Sequence, residues 1–337
     1  MVPTAIGSGD CTKVEKRKCY VANWLLIMDK SEKIFVAGHR GLVGSAIIRC
    51  LERGGFNNLP KRDRSELDLA DEGAVRNFFA QEQPAIVVFA AAKVGGIKAN
   101  NDYPVEFLVE NLRIQSNVIR AAHENGARKL LFLGSSCIYP KFAPQPIPET
   151  ALLSGPLEQT NEAYAIAKIA GIKLCQAYCR EYGKNFISVM PTNLYGPNDN
   201  FDLETSHVLA ALLRKAHEAK TRNDRNLVVW GTGKPRREFL HVDDLASACL
   251  LLLEKYDSPE IINVGCGEDI SIRELAELIC DVVGFDGELA WDTTKPDGTP
   301  RKLLDVAKLH ALGWKPAITL RDGIQRTYDW FVANLAQ

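Results

Sequence analysis

Short runs of β-branched and aromatic residues alternate along the chain with longer stretches whose apolar positions recur every three to four residues. The first run, Ile34–Ala37, is wholly apolar and leads into glycines, so it predicts a buried strand. Leu42–Arg53 then carries a helical period. A second strand is expected at 85–92 (AIVVFAAA), and a long helix at 105–125, ending on Asn125-Gly126. A third strand follows at 129–134 (KLLFLG), then a second long helix at 161–182 closed by Gly183, then a fourth strand at 186–190. Asn and Gly at those ends can take the left-handed backbone that stops a helix. Continuous apolar strands separated by helices predict an α/β fold with a doubly wound parallel (Rossmann) sheet, covered by helices on both faces. One stretch breaks the pattern. A strand is due near 57–64, yet NNLPKRDR is polar, and Pro60 cannot donate to a central ladder. That strand is either short or shifted in register.

After Tyr195 the texture changes. A loop at 196–200 precedes a helix at 206–219, a strand at 227–230, a turn at 231–236, a strand at 239–242 and a helix at 243–253. Ile261–Val264 reads as a strand and Ile272–Val283 as a helix. We expect a first domain over 28–195, with returning segments near 238–265, and a second, smaller α/β substrate domain over 196–337. Residues 1–27 show no period. Lys13, Lys16, Arg17 and Lys18 precede the apolar run 21–28, and no small-residue cleavage site follows. Three readings stand for this segment: a leader or mis-assigned start, a targeting segment, or an ordered extension. The first is favoured, and the segment is set aside from the fold.

At 337 residues the chain has room for about two domains. Its 46% hydrophobic and 25% charged residues give a packed core and exclude global disorder. Lys plus Arg (41) against Asp plus Glu (42) leaves a net charge of −1. Nothing therefore draws the chain as a whole to nucleic acid or an anionic membrane. No apolar run approaches the 18 or so residues of a membrane helix. Nine scattered cysteines without a CxxC pair predict reduced thiols and a cytoplasmic protein. Cys50, Cys175, Cys179, Cys249 and Cys280 fall in apolar helical patterns and are expected in the core, and no His/Cys spacing suggests a metal.

The first strand runs into Gly38-His39-Arg40-Gly41-Leu42-Val43-Gly44, a GxxGxxG that opens a helix. Glycines there let the backbone approach a pyrophosphate, which sits on the helix N-terminus where free N–H groups and the dipole favour anions. The basic stretch Lys61-Arg62-Asp63-Arg64 lies where the ribose would be read. With Arg64 and Arg40 on a 2′-phosphate, the cofactor is NADP(H); the alternative places Asp63 on a ribose 2′-hydroxyl.

Tyr164 and Lys168 form a YxxxK within a helix, so phenol and ammonium share a face. A nearby cation favours phenolate, so we expect Lys168 to bring Tyr164 down toward working pH as a proton donor to a carbonyl. Lys168 can also hold the nicotinamide ribose. Ser135, at the end of the third strand, can bond the same carbonyl. Cys137 could remove a proton next to that carbonyl, with His207 as the acid on the opposite face; by composition alone the stronger readings are Cys137 as a small buried residue and His207 as a helix-start residue.

These motifs, with Pro191-Thr192-Asn193-Leu194 and the following YGP, resemble the extended short-chain dehydrogenase/reductases. AGHRGLVG (37–44), AAKVGGIKANN (91–101), GSSCIYP (134–140), YAIAKIAGIKL (164–174), REFLHVDD (237–244) and KPDGTPRKLLDV (295–306) narrow the resemblance to the GDP-L-fucose synthase family, over about residues 30–335. The resemblance implies an NADPH-dependent enzyme acting on GDP-4-keto-6-deoxymannose, with epimerisation at carbons 3 and 5 and then reduction of the 4-keto group. It makes Cys137 the epimerisation base, His207 the acid and a cofactor contact, Tyr164 the donor to oxygen 4, Ser135 its polariser and Lys168 the support for phenol and cofactor. It places Pro191, Thr192, Asn193 and Leu194 on the cofactor, and Lys215, Trp230, Arg237, Asp297 and Lys302 on the GDP-sugar. It also implies a homodimer through the two long helices. Rivals are another nucleotide-sugar epimerase or dehydratase, or a non-catalytic nucleotide sensor, which would have no need of Tyr164 and Lys168.

Overall fold

The structure, a computed structural model, describes residues 28–295 and 297–336. The leader expected at 1–27 lies outside the described residues. Five parallel strands run in spatial order β1 (Ile34–Ala37), β2 (Ile86–Phe89), β3 (Lys129–Leu133), β4 (Asn185–Pro191) and β5 (Ile261–Val264). The strands are mostly apolar because each faces two cores; the polar residues Lys129, Ser188 and Asn263 within them are buried as well. On one face, Ile34, Val36, Val88, Leu131 and Ile187 meet helices α1 (Leu42–Arg53) and, far along the chain, Val242–Lys255. On the other, Phe35, Val87, Phe89, Phe132 and Phe186 meet α2 (Glu72–Glu82), α3 (Pro104–Glu124) and α4 (Glu162–Tyr182). The period-2 alternation of a pleated strand thus divides one hydrophobic run between two layers.

The strand expected near 57–64 does not form. Ile34 N–H donates to Asn58 carbonyl at 3.0 Å, and Leu59 packs against the core, but β1 remains the edge of the sheet. Pro60 and the run of charges explain why no ladder continues.

A third core gathers α5 (Val208–Arg222), α6 (Ile272–Val283), α7 (Leu320–Asn334) and a parallel pair, Asn226–Trp230 with Glu288–Asp292. Leu213, Leu275, Ile279 and Ile324 are fully buried there. Three short strands link this unit to the sheet. Arg236–Arg237 pairs with Ile270–Ser271 and, in parallel register, with Arg301–Lys302. The carboxyl ends of β1, β3 and β4 open into one crevice between the two units, the place where parallel sheets present ligand-binding residues.

Candidate active site

A cleft of about 880 Å³ runs along those strand ends. Its floor is the glycine loop. Gly38 has φ +85°, and a Cβ on Gly44 would stand 2.1 Å from the Gly38 carbonyl oxygen, so only glycine lets α1 start so close to β1. Gly41 caps α1 without a side-chain acceptor, leaving first-turn N–H groups free for an anion. His39, Leu42 and Val43 line the same wall. This cradle fits a dinucleotide pyrophosphate.

At the ribose end the structure brings Arg40, Asp63 and Arg64 together, with both cations already paired. Arg40 meets Asp63 at 2.9 Å and Arg64 meets Glu110 at 3.0 Å. The Ser65 hydroxyl donates to Asp63 at 2.6 Å and is the main reason its carboxyl lies below the usual range. The two guanidinium groups are about three-quarters exposed, so either can turn to a phosphate at little cost.

At the other end stand Ser135, Cys137, Tyr164, Lys168 and His207. α4 carries Tyr164 and Lys168 one turn apart, and the hydrogen bond of the Lys168 ammonium goes to the sheet. Its Nζ donates to the Leu133 carbonyl at 2.8 Å and lies 5.8 Å from the Tyr164 ring centroid. Burial pushes Lys168 down to about 7. The expectation that Lys168 lowers the Tyr164 pKa is therefore corrected. Burial raises it, negative charge at Cys137 raises it further, and the bond with the Ser135 hydroxyl opposes both. Ser135 Oγ also accepts the Cys137 N–H at 3.2 Å, which fixes the turn that presents the thiol.

His207 arrives from another segment. Gly96 N–H donates to the Thr205 carbonyl at 2.7 Å, and a Cβ on Gly96 would sit 2.7 Å from the Ser206 carbonyl oxygen. That close approach draws the start of α5 over the crevice. His207 is exposed toward the cleft; desolvation by the protein around its ring lowers its pKa, and the Lys302 charge lowers it further.

Pro191, Thr192, Asn193 and Leu194 follow β4 along the cleft wall. The five expected GDP-sugar residues form a second group beyond that wall. Lys215 Nζ lies 5.1 Å from the centroid of the half-exposed Trp230 ring, and Lys295 Nζ 5.5 Å. Arg237 and Lys302 stand side by side in register. Asp297 is engaged within the protein, accepting from the Thr232 N–H at 2.7 Å and its hydroxyl at 2.8 Å. Lys302 joins the two groups, with Nζ 3.7 Å from Cys137 Sγ.

Two residues were not read from the sequence. Glu238 is fully buried; its carboxylate accepts from Gly267 N–H at 2.7 Å and Leu304 N–H at 3.0 Å, and its carbonyl from Asn193 at 2.8 Å and Thr192 at 3.2 Å. It ties the cofactor wall to the strand of Lys302. A buried acid inside REF was its only signal. Asp199 lines the cleft with Oδ2 buried and unpaired among the described residues, and burial pushes it up to about 7. Among the described residues no group of His, Cys, Asp or Glu could hold a metal, no helix is long and apolar enough to cross a membrane, and the seven described cysteines are free.

Comparison with known proteins shows the family. Residues 34–265 match the model of the NAD dependent epimerase/dehydratase family. GDP-L-fucose synthase 1 of Arabidopsis thaliana is 64% identical over 307 residues, 91% of this chain and 95% of that protein. GDP-L-fucose synthase of Escherichia coli K12 is 57% identical, over 90% of this chain and 97% of that protein. A solved structure of a GDP-L-fucose synthetase from Naegleria fowleri bound to NADP superposes with a TM-score of 0.85 at 31% identity, covering 92% of this chain and 97% of that one. The chain belongs to the NAD dependent epimerase/dehydratase family and, within it, to the GDP-L-fucose synthases.

Proposed function

We propose that the chain converts GDP-4-keto-6-deoxy-D-mannose to GDP-L-fucose by epimerising carbons 3 and 5 and then reducing the 4-keto group with NADPH. The observation that carries this reading is that a thiol (Cys137), an imidazole (His207) and a phenol (Tyr164) line the same cleft as the dinucleotide loop. A simple ketone reductase needs only the phenol.

The chemistry follows from the groups. Protons beside a ketone are acidic because the 4-oxygen takes up the charge. Tyr164 and Ser135 donate hydrogen bonds to that oxygen and so stabilise the enolate. Cys137 removes the carbon-bound proton from one face, and His207 delivers a proton to the other, inverting the centre. NADPH, when bound, supplies the hydride that reduces carbon 4. Tyr164 then gives its proton to the new alkoxide. Gly38, Gly41 and Gly44 would cradle the pyrophosphate, Arg40 and Arg64 the 2′-phosphate, and Lys168, with Pro191, Thr192, Asn193 and Leu194, the nicotinamide half. His207 borders both sugar and cofactor. Trp230 offers a stacking face for a base, while Lys215 and Arg237 offer charge for a diphosphate and Asp297 an acceptor for a base edge; Lys302 borders that group from beside Cys137.

Residues 28–195, with returns near 238–265, are the cofactor-binding unit in this reading, and 196–337 mainly bind the GDP-sugar; the separate core around α5, α6 and α7 supports that division. The enzyme acts in the cytoplasm as a homodimer. Val105, Val109 and Ile166 are exposed on α3 and α4, which supports those helices as the contact. The test is incubation of the purified protein with GDP-4-keto-6-deoxymannose and NADPH. GDP-L-fucose is expected; a related 4-epimerase or dehydratase would leave NADPH unconsumed.

A further inference from the structure

Arg236 and Arg301 share the carboxylate of Asp269, as surface cations usually find an acid. Lys302, the next residue, has no carboxylate within ion-pair distance among the described residues; the nearest partner of its ammonium is the Cys137 sulfur at 3.7 Å. Its backbone is clamped. The Glu238 N–H donates to the Lys302 carbonyl at 3.2 Å, and Gln145, eight residues beyond Cys137, accepts the next N–H of that strand, from Leu303, at 2.9 Å. Ile147 N–H donates to the Leu303 carbonyl at 2.8 Å. The strand of Lys302 is thus laced to the loop that follows Cys137, and the lacing fixes the backbone from which the ammonium reaches the thiol. Arg237, in register beside Lys302, is also within electrostatic reach of Cys137, and His207 is within reach of Lys302.

We propose that Lys302 is a positioning residue for the Cys137 thiol: its ammonium holds the sulfur toward the cleft and balances the negative charge the sulfur carries as a base. This rests on the epimerase reading of the site. A proton abstractor must hold charge before it reacts, and in a partly enclosed site that charge needs a nearby cation. When Cys137 takes a proton from carbon, sulfur becomes neutral and the charge passes to the enolate oxygen at carbon 4, while Lys302 keeps its own proton. Arg237 stays available for the diphosphate, so the paired strands divide their two cations between chemistry and binding.

The test compares the whole protein with Lys302→Met and Lys302→Arg in three measurements. Alkylation of Cys137 by iodoacetamide at pH 7, followed by mass spectrometry of its peptide, needs no substrate and so reads Lys302 whatever the fate of the proposed function. Solvent deuterium entry at carbons 3 and 5 reads the chemistry, and inhibition by GDP reads binding. Lys302→Met should slow alkylation about tenfold and deuterium entry by more, with GDP inhibition changed less than about twofold, and Lys302→Arg should restore most of both rates. Retained NADPH binding serves as the control for folding. Unchanged alkylation with weakened GDP inhibition would overturn the proposal and make Lys302 a diphosphate ligand alone. Failure of the wild-type protein to form GDP-L-fucose would instead overturn the function.

Discussion

Lys168 Nζ donates to the carbonyl of Leu133 at 2.8 Å, where β3 ends and the Ser135 turn begins. The bond pins α4 to the sheet at the point where three strands open into the cleft. No carboxylate accompanies it among the described residues, so the charged form of this buried amine is disfavoured, and its pKa falls from 10.5 to about 7. Unfolding returns it to the ordinary value. Between about 7 and 10.5 the unfolded chain therefore binds more protons than the folded one, and this group makes stability rise with pH across that window. Thermal melts of the cofactor-free protein at pH 7 and pH 9.5 should show a smaller pH-dependent gain in Lys168→Met than in the wild type. An equal gain in both would contradict the burial argument.

Tyr164 is raised rather than lowered in the protein alone, which suits an acid that keeps its proton until an alkoxide forms. Tyr164→Phe should cut reduction by about 10²- to 10⁴-fold while deuterium still enters carbons 3 and 5. Cys137→Ser should lose that exchange first. Nuclear magnetic resonance of the recovered sugar separates the two, and unchanged exchange in Cys137→Ser would remove the thiol from the mechanism.

Arg64 and Arg40 enter the cofactor site already paired with Glu110 and Asp63. Binding a 2′-phosphate exchanges one anion for another, so the net gain is moderate. Arg64→Ala should weaken NADPH by about tenfold and NADH by less than about twofold. Asp63→Asn, which frees Arg40, should tighten NADPH. Equal losses for both cofactors in Arg64→Ala, measured by fluorescence titration, would count against the phosphate role.

Glu238 connects the cofactor wall with the strand of Lys302 through its backbone, the carbonyl accepting from Thr192 and Asn193 and the N–H donating to the Lys302 carbonyl, while its carboxylate accepts from the Gly267 and Leu304 N–H groups. Truncation leaves two buried N–H groups without partners, so Glu238→Ala should cost about 3 kcal/mol in urea unfolding. Glu238→Gln keeps one acceptor and should lose much less. A truncation that costs under about 0.5 kcal/mol would show that water replaces the carboxylate.

Most of the sheet was legible because a strand buried on both faces is apolar at most positions. Ile34–Ala37 and Ile261–Val264 therefore announce themselves, and the long helices announce their ends through Gly126 and Gly183. The helix Glu72–Glu82 was missed because its apolar stripe is short, three buried residues behind an Asp71 cap. The edge at 57–64 was visible as a fault, since Pro60 and four charges cannot fill a ladder. In the site, the YxxxK spacing correctly put Tyr164 and Lys168 on one face. Spacing could not show that Lys168 reaches the Leu133 carbonyl, because the sheet supplies that partner. Lys302 and Cys137 are far apart in the chain, and tertiary contacts bring them together: Arg301–Lys302 pairs with Arg236–Arg237, and Leu303 bonds to Gln145 and Ile147 in the loop after Cys137.

The central claim is that one cleft both inverts two carbon centres and reduces a third. The most direct measurement is to run the reaction with NADPH in D₂O and determine the product's configuration by NMR. The account predicts GDP-L-fucose carrying deuterium at carbons 3 and 5. A reduced 6-deoxyhexose with carbons 3 and 5 unlabelled and in their original configuration would contradict it.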